Sequence, residues 1–315
     1  MRRCFALVLA LGLACRGIAS PPPSPPPPPA PPPPLPVRSV FPADNAWNRD
    51  ISADPADSKS DSLIARCGGS ANLHPDFGSV YGGAPWGIPF ITVSGSQQRV
   101  PVSFIYADES DSGPYPIPPD APIEGGPSAS GDRHVLVVDV DNWKLYEMFD
   151  AHPVSGGAWT AGSGAVFDLG SNGLRPDGWT SADAAGLPIF AGLARYAEVA
   201  TGQITHALRF TCPVSRRAYV APARHFASTR ADSFLPPMGM RVRLKAGVDI
   251  SGFPSDVQVI LTALKTYGMM LADNGGPFFV SGAPDPRWND ANIDTMKRLH
   301  GNDFEVVRMT GLVVR

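Results

Sequence analysis

The sequence predicts a mainly β fold, an antiparallel, jelly-roll-like β-sandwich with a few short peripheral helices. From residue 37 to residue 315, short apolar runs alternate with turn residues, and this punctuation is typical of antiparallel strands. The clearest segment, residues 134–149, places two apolar runs on either side of an Asp-Asn dipeptide, which favours a β-hairpin. Long helical patterns are few.

The predicted strands are, in chain order, residues 86–93, 100–106, the hairpin 134–149, 204–212 and 240–244. The strongest helix covers residues 256–267, because its apolar residues recur at helical spacing. Ser255 and Gln258 are spaced as a capping box, and Gly268 is placed to end the helix. Shorter helices are predicted over residues 58–66, 181–185, 192–200 and 290–299.

The first 36 residues predict export. Residues 1–20 have two arginines, an apolar run and small residues near Ala19, as in a cleaved signal peptide. The apolar run is too short to span a bilayer. Cys15 also fits lipid attachment, although a lipoprotein signal usually has Leu where this chain has Gly12. Residues 21–36 contain 13 prolines and predict a stiff polyproline linker of roughly 50 Å.

Residues 37–315 predict a single extracellular or surface-tethered domain. No internal repeat or composition shift divides this part, and 43% of the chain is hydrophobic, enough for one large core or two small ones. Cys67 and Cys212 are its two cysteines. In an oxidising compartment they would form one bridge, and the alternative is a pair of buried free thiols.

The charge of the chain argues against a nucleic-acid partner. The formal net charge is −3, and it becomes about −6 once the three arginines ahead of the proline tract are left out. Binding to a phosphate backbone needs a basic stripe instead. The sequence leaves the oligomeric state open.

The hairpin 134–149 carries the first candidate catalytic pair. With a turn at residues 141–142, His134 and Glu147 fall on the same apolar face as diagonal neighbours. An imidazole and a carboxylate in apolar surroundings can serve as an acid and a base. The alternative is a paired His and Glu that only stabilise a core.

A second candidate group lies further along the chain. His206 falls on the apolar side of the strand 204–212, and Arg209 on the other side. Arg224 follows nearby. Several polar groups on one β-sheet suggest a concave binding face, although a single such histidine is more often a core residue.

The glycine-rich stretch 156–186 is the candidate substrate-binding region. Tryptophan faces pack on sugar rings, while Asp and Arg side chains bind hydroxyl groups. The candidate ligand contacts in this stretch are Trp159, Trp179, Arg175 and Asp183, with Asp168 as a second catalytic carboxylate. Tryptophans beside glycines are also ordinary in the corners of β-sandwiches.

No cofactor is predicted, except that residues 108–124 gather five carboxylates that could hold Ca²⁺. Their spacing does not match an EF-hand loop, and a solvated acidic loop is the alternative. The sequence also lacks H-E-x-x-H, G-x-S-x-G, P-loop and paired C-x-x-C motifs. Those absences weaken zinc peptidase, α/β-hydrolase and nucleotide-binding hypotheses.

Several strings between residues 41 and 307 together carry a family resemblance: FPADNAWN, GDRHVLVVD, GWTSADAAGLPI, ITHALRF, YVAPARH and LPPMGMRVRLK. With them the chain resembles an uncharacterised family of secreted bacterial proteins. The resemblance implies a single exported domain, and it implies no catalytic residue.

The sequence therefore supports two hypotheses of function. The first is a carbohydrate-active enzyme acting on a cell-wall or environmental polysaccharide. A hydrolase would use Glu147 and Asp168 as its carboxylates. A lyase would use His134 or His206 as the base, with Arg209 or Arg224 neutralising a uronate. The second hypothesis is a non-catalytic glycan-binding or structural surface domain.

Overall fold

A computed structural model describes residues 33–36 and 38–315. The predicted signal peptide, the lipid attachment at Cys15 and most of the proline linker lie outside the described residues. Strands hold 25% of the residues and helices 17%, and one of the several sheets curls into a half-barrel. The mainly β class is thereby confirmed, while the jelly-roll-like sandwich stays a prediction.

The strands in chain order are β1 (His74–Asp76), β2 (Val80–Tyr81), β3 (Ala84–Pro85), β4 (Phe90–Val93), β5 (Val102–Phe104), β6 (Val135–Asp139), β7 (Lys144–Phe149), β8 (His152–Pro153), β9 (Trp159–Ala161), β10 (Ser163–Asp168), β11 (Leu208–Cys212), β12 (Ala218–Tyr219), β13 (Arg241–Leu244), β14 (Met269–Asn274), β15 (Phe279–Ser281), β16 (Phe304–Val306) and β17 (Val313–Val314). The α-helices are α1 (Ser60–Cys67), α2 (Tyr196–Val199), α3 (Ser255–Thr266) and α4 (Asp290–Asp294). Short 3₁₀ helices cover Ala46–Asn48, Ala107–Glu109, Ser155–Gly157, Phe190–Gly192, Thr295–Arg298 and Gly301–Asp303.

Two sheets organise the unit that runs from Pro32 to Arg315. The six-stranded sheet has the order β1-β15-β11-β14-β13-β16, and the four-stranded sheet has the order β10-β7-β6-β4. Both are mixed: β1 pairs parallel to β15, β11 to β14, and β4 to β6. Because parallel partners are far apart in the chain, no local turn announces them in the sequence.

The hairpin β6–β7 has the predicted register, with Leu136 opposite Glu147 and Val138 opposite Leu145. Both faces of this hairpin are covered. Leu136 and Leu145 belong to the main core, while Val137 belongs to a second, smaller core on the other face. This double burial explains why the run Val135–Asp139 is almost continuously apolar.

Helix α3 confirms the predicted apolar face, with Val257, Ile260, Leu261 and Leu264 buried. The predicted capping box is wrong: Pro254 is the N-cap residue and provides no side-chain hydrogen bond. The Gln258 side chain instead donates to the carbonyl oxygens of Ser251 and Phe253. Gly268 has a φ of +67° and follows the last turn as predicted.

The predicted helix over residues 181–185 is also wrong. This stretch begins segment 181–194, which joins the four-stranded sheet to the six-stranded sheet. Ser163 of β10 donates to the Ser181 carbonyl oxygen at 2.7 Å, and Ala185 donates to the Ala272 carbonyl oxygen of β14 at 2.9 Å. Its backbone groups are therefore used by neighbouring strands and not by a helical ladder.

The start of the folded part lies against the edge strand β4. The Thr92 hydroxyl donates to the Pro33 carbonyl oxygen, and Leu35 packs on the main core.

A disulfide joins Cys67 to Cys212, whose Cα atoms are 5.0 Å apart. No helix in the part of the chain that the structure describes is long and apolar enough to cross a membrane.

Candidate functional site

A buried cluster of ionisable side chains lies where segment 181–194 meets the two sheets. Its buried members are His134, Glu147, Asp183 and Arg209. Two further carboxylates, Glu124 and Asp273, lie at its partly exposed rim. We call this group the charged cluster. Perturbed ionisable groups gathered in one place are typical of functional sites.

His134 sits just before β6, and both of its ring nitrogens have partners. Nδ1 lies 2.6 Å from Glu124 Oε2, and Nε2 lies 3.1 Å from the Ala182 carbonyl oxygen. Burial disfavours the imidazolium, but the Glu124 carboxylate outweighs that effect and raises the pKa of His134 to about 9. The histidine is therefore a cation at neutral pH, held between a carboxylate and segment 181–194.

Glu147 shares the inner face of the hairpin with His134, as predicted, but the two side chains are not hydrogen-bonded to each other. Glu147 Oε1 accepts from the Phe190 amide at 2.8 Å, and Oε2 accepts from the Ile189 amide at 3.0 Å. Burial raises the pKa of Glu147 to about 7, although these two hydrogen bonds oppose the shift. The carboxylate is fully buried, so it holds the backbone of segment 181–194 and cannot touch a ligand.

Asp183 and Arg209 form the buried ion pair of the charged cluster. Arg209 Nε lies 3.2 Å from Asp183 Oδ2, and Arg209 Nη1 donates to the Ser281 hydroxyl at 2.6 Å. Burial raises the pKa of Asp183 despite the opposing guanidinium. Among the described residues, Asp183 Oδ1 has no hydrogen-bond partner, which is costly for a buried carboxylate oxygen.

Asp273 reaches the charged cluster because of a β-bulge in β14. The pairing of β11 with β14 runs from Phe210 opposite Leu271 to Thr211 opposite Asp273, and so skips Ala272. The extra residue turns Asp273 to the face of the sheet that carries Thr211 and Arg209. Without the bulge, Ala272 would occupy that position.

The two rim carboxylates have opposite pKa shifts. Burial and the Asp183 carboxylate raise the pKa of Asp273 to about 6, against Arg209 and His134. Burial acts to raise the pKa of Glu124 as well, but the His134 imidazolium and Arg209 lower it below its usual value. Two carboxyl groups with separated pKa values can act as an acid and a base.

His206 lies outside the charged cluster. Its Nε2 accepts from Arg195 Nη2 at 3.0 Å and lies 3.2 Å from Glu198 Oε2, while Nδ1 lies 2.8 Å from the Ala207 carbonyl oxygen. The ring is buried. It ties helix α2 to the chain ahead of β11, which is the structural alternative that the sequence left open.

Asp168 is not brought together with Glu147. Glu147 pairs with Ala165 across the β7–β10 ladder, and Asp168 is three residues further along β10. Because strand side chains alternate, Asp168 points to the opposite face. There it is exposed and accepts from the Gly170 amide at 2.9 Å.

The other predicted ligand contacts are mostly engaged within the protein. Trp159 is buried in the smaller core, and the half-buried Trp179 lies under the Arg175 guanidinium, 5.6 Å from ring centroid to Cζ. Arg175 Nη2 donates to the Glu109 carbonyl oxygen at 2.8 Å, and Nη1 pairs with Asp111. Arg224 Nε donates to the Arg175 carbonyl oxygen at 3.1 Å, and its Nη2 lies 3.2 Å from Asp177 Oδ1.

Three of the five carboxylates of the acidic loop have separate partners. Asp111 pairs with Arg175, Glu109 accepts from the Thr180 amide, and Glu124 binds His134. In the described parts of the chain, no group of three or more His, Cys, Asp or Glu side chains is arranged to hold a metal ion. The Ca²⁺ site stays a prediction.

The sequence did not single out Asp273 as a candidate site residue and did not link Glu124 to His134. The run MMLA ends in Asp273, Asn274 and two glycines, and a polar residue at the end of an apolar strand is a signal that could have identified Asp273. No comparable local pattern places Glu124 beside His134, because the loop before β6 makes that contact.

Comparisons with known proteins add no relative: no protein-family model, no curated protein and no solved structure matches this chain.

Proposed function

We propose that the protein is a polysaccharide hydrolase whose acid is Asp273 and whose base is Glu124. The observation that carries the proposal is the placement of these two carboxylates at the rim of the charged cluster, Glu124 on His134 and Asp273 through the bulge in β14, and their opposite pKa shifts agree with it. Both are partly exposed, whereas the predicted pair of Glu147 and Asp168 is divided between two faces of a sheet. Two carboxyl groups of this kind are what glycoside hydrolysis requires.

The reaction is a direct displacement by water. Protonated Asp273 gives its proton to the glycosidic oxygen, which also takes the electron pair of the breaking bond to the anomeric carbon. Glu124 takes a proton from the water whose oxygen bonds to that carbon. One water is consumed, and the two carboxyl groups end with the proton exchanged between them.

The buried members of the charged cluster set the state of the two rim groups. His134 keeps Glu124 ionised, and Asp183 keeps a proton on Asp273 to a higher pH. The hydrogen bond from His134 falls on Glu124 Oε2, and Oε1 accepts none from the described residues. That oxygen is the one we assign to the water.

The lyase alternative has less support from the geometry. It needs a guanidinium free to neutralise a uronate carboxylate. Arg209 is bonded to Asp183 and Ser281, and Arg224 is engaged by Arg175 and Asp177. His206, the other proposed base, is enclosed by Arg195 and Glu198.

The proposal includes the predicted location and the finer fold. We place the enzyme outside the cytoplasm, either secreted or tethered to the surface, with the jelly-roll-like sandwich as its scaffold. The N-terminal pattern of the sequence supports export. The Cys67–Cys212 disulfide is compatible with an oxidising compartment.

The test is turnover of a polysaccharide panel by the purified protein and three variants. The panel holds neutral polysaccharides, uronate polysaccharides and bacterial cell wall, with reducing ends reporting hydrolysis and absorbance near 235 nm reporting elimination. We expect Glu124→Gln and Asp273→Asn to lower kcat at least about 100-fold. The control Asp168→Asn changes an exposed carboxylate on another face and should keep wild-type turnover.

The pH profile gives a second readout. Because the acid must be protonated, kcat/KM should fall as the pH rises through about 6, the pKa of Asp273. Wild-type rates for both rim variants would overturn the assignment. Retention on a polysaccharide with neither signal would favour the glycan-binding alternative.

A further inference from the structure

Four rings form a connected surface at the edge strand β1 of the six-stranded sheet. The Tyr81 and Trp86 centroids are 5.5 Å apart, Trp86 and His74 are 6.5 Å apart, and His74 stacks on Phe279 at 3.9 Å. We call these four residues the aromatic edge. Tyr81 is 73% exposed, and the other three are partly exposed. No part of the mechanism above uses them.

A row of paired residues connects the aromatic edge to Asp273, the proposed acid, across the six-stranded sheet. His74 pairs with Phe279, Phe279 with Thr211, and Thr211 with Asp273. Directly paired residues point to the same face of a sheet, so these four residues form one row across adjacent strands. Three strand spacings of about 4.8 Å separate the backbones of His74 and Asp273 by roughly 14 Å.

The turn above this row joins β14 to β15 and begins with two residues that have no side chain, Gly275 and Gly276. A Cβ on Gly275 would lie 2.8 Å from Thr211 Oγ1, and one on Gly276 would lie 2.3 Å from Phe279 Cε1. The two glycines therefore let the turn pack closely onto Thr211 and Phe279. A ligand that runs from the aromatic edge toward Asp273 therefore meets the backbone of these two glycines and no side chain of theirs.

The charges along this path favour an uncharged ligand. Burial lowers the pKa of His74, so its ring is neutral at neutral pH. Asp76 and Asp294 act on His74 with one opposing cation, Lys297. At the far end of the path, the four carboxyl groups of the charged cluster outnumber its two cations, His134 and Arg209, so a chain of uronates would be repelled there as well.

We propose that the aromatic edge binds a neutral polysaccharide chain and directs it across the sheet toward Asp273. Aromatic faces bury the apolar faces of sugar rings. Trp86 Nε1 donates to Asp76 Oδ1 at 3.2 Å, and the second oxygen of that carboxylate can accept a hydrogen bond from a sugar hydroxyl. This inference rests on the proposed function for the identity of the site that the chain enters.

The experiment separates binding from turnover by using the Glu124→Gln protein. Its retention is measured on insoluble cellulose, xylan and chitin, with polygalacturonate as the anionic comparison. We expect retention on at least one neutral polysaccharide and weaker binding to polygalacturonate. Adding Tyr81→Ala should weaken the retained binding about three- to tenfold, the range expected for one aromatic contact.

The matched control is Tyr106→Ala, which removes a tyrosine that is 54% exposed and lies next to β5, on another sheet. It should leave retention unchanged. Equal binding by the Tyr81→Ala and control proteins, tighter binding of polygalacturonate, or retention on none of the neutral polysaccharides would overturn the inference. Retention that depends on Tyr81 without turnover by the wild type would keep it and reject the hydrolase.

Discussion

Glu147 shows that the position of a residue can be predicted from the sequence when its hydrogen-bond partners cannot. The hairpin register followed from the turn and the alternation, so its face was predictable. Its partners were not, because the Ile189 and Phe190 amides come from a segment about 40 residues away in sequence. The same holds for the bulge at Ala272, which aims Asp273 and has no local signal in the sequence.

The pKa of Glu147 predicts a pH-dependent stability. Its folded-state pKa of about 7 exceeds the ordinary value of 4.5, so the folded protein binds this proton more tightly than the unfolded chain. The stabilisation is therefore complete below pH 4.5 and is lost as the pH rises through 7, by an amount on the order of 3 kcal/mol. The charges facing this group are those of His134 and Asp183.

Glu147→Gln removes this titration and leaves one backbone amide without its acceptor. We expect a loss of about 1 to 3 kcal/mol in the free energy of unfolding at pH 5 and a flatter dependence between pH 4.5 and 7. Urea denaturation at several pH values measures both. An unchanged slope in the variant would contradict the assignment of this titration to Glu147.

Helix α3 shows what a sequence pattern can and cannot establish for an element. The apolar period located the buried face, because that face depends only on helical geometry. The N-cap depended on the path of the preceding loop, and there Pro254 replaced the predicted Ser255. The C-terminal glycine was predictable, since a left-handed residue after a helix favours Gly.

Gly268 allows a direct test of how the C-terminal end of helix α3 packs against β13. It has a φ of +67°, and a Cβ there would lie 2.2 Å from the Val242 carbonyl oxygen of β13. Gly268→Ala should cost the strain of a left-handed alanine, about 1 kcal/mol, plus a clash of about 2 kcal/mol or more. Thermal or urea unfolding measures the loss.

The matched control is Gly202→Ala, at a φ of +85° with no atom within 4 Å of the added Cβ. It should show the backbone strain alone. Equal losses of stability for the two variants would mean that the close approach of Gly268 to β13 contributes nothing.

The whole molecule was predictable in class but not in topology. Short strands and turn residues gave the mainly β composition, whereas the parallel pairs join segments such as β11 and β14 that only tertiary packing brings together. The charged cluster shares this limit. It draws on the loop before β6, β7, segment 181–194, β11 and β14, and no single stretch of sequence contains it.

The Cys67–Cys212 disulfide spans much of this topology, with a sequence separation of 145 residues. A loop of that length implies a stabilisation of up to about 4 to 5 kcal/mol through the unfolded chain. The midpoint of urea unfolding of the Cys67→Ser/Cys212→Ser protein should lie at a correspondingly lower urea concentration. Adding reductant should destabilise the wild type and leave the double variant unchanged. Equal sensitivity of both proteins to reductant would reject the bridge.

The contact of Pro33 and Leu35 with the folded part has a consequence for self-association. Strand β4 is an outer strand of its sheet, and an open outer strand invites pairing with another chain. Here that strand is met by a stretch in which Pro33, Pro34 and Pro36 have no backbone N–H to offer. The entering chain thus contacts β4 without itself becoming a new strand, and its prolines offer no backbone donor through which the sheet could extend.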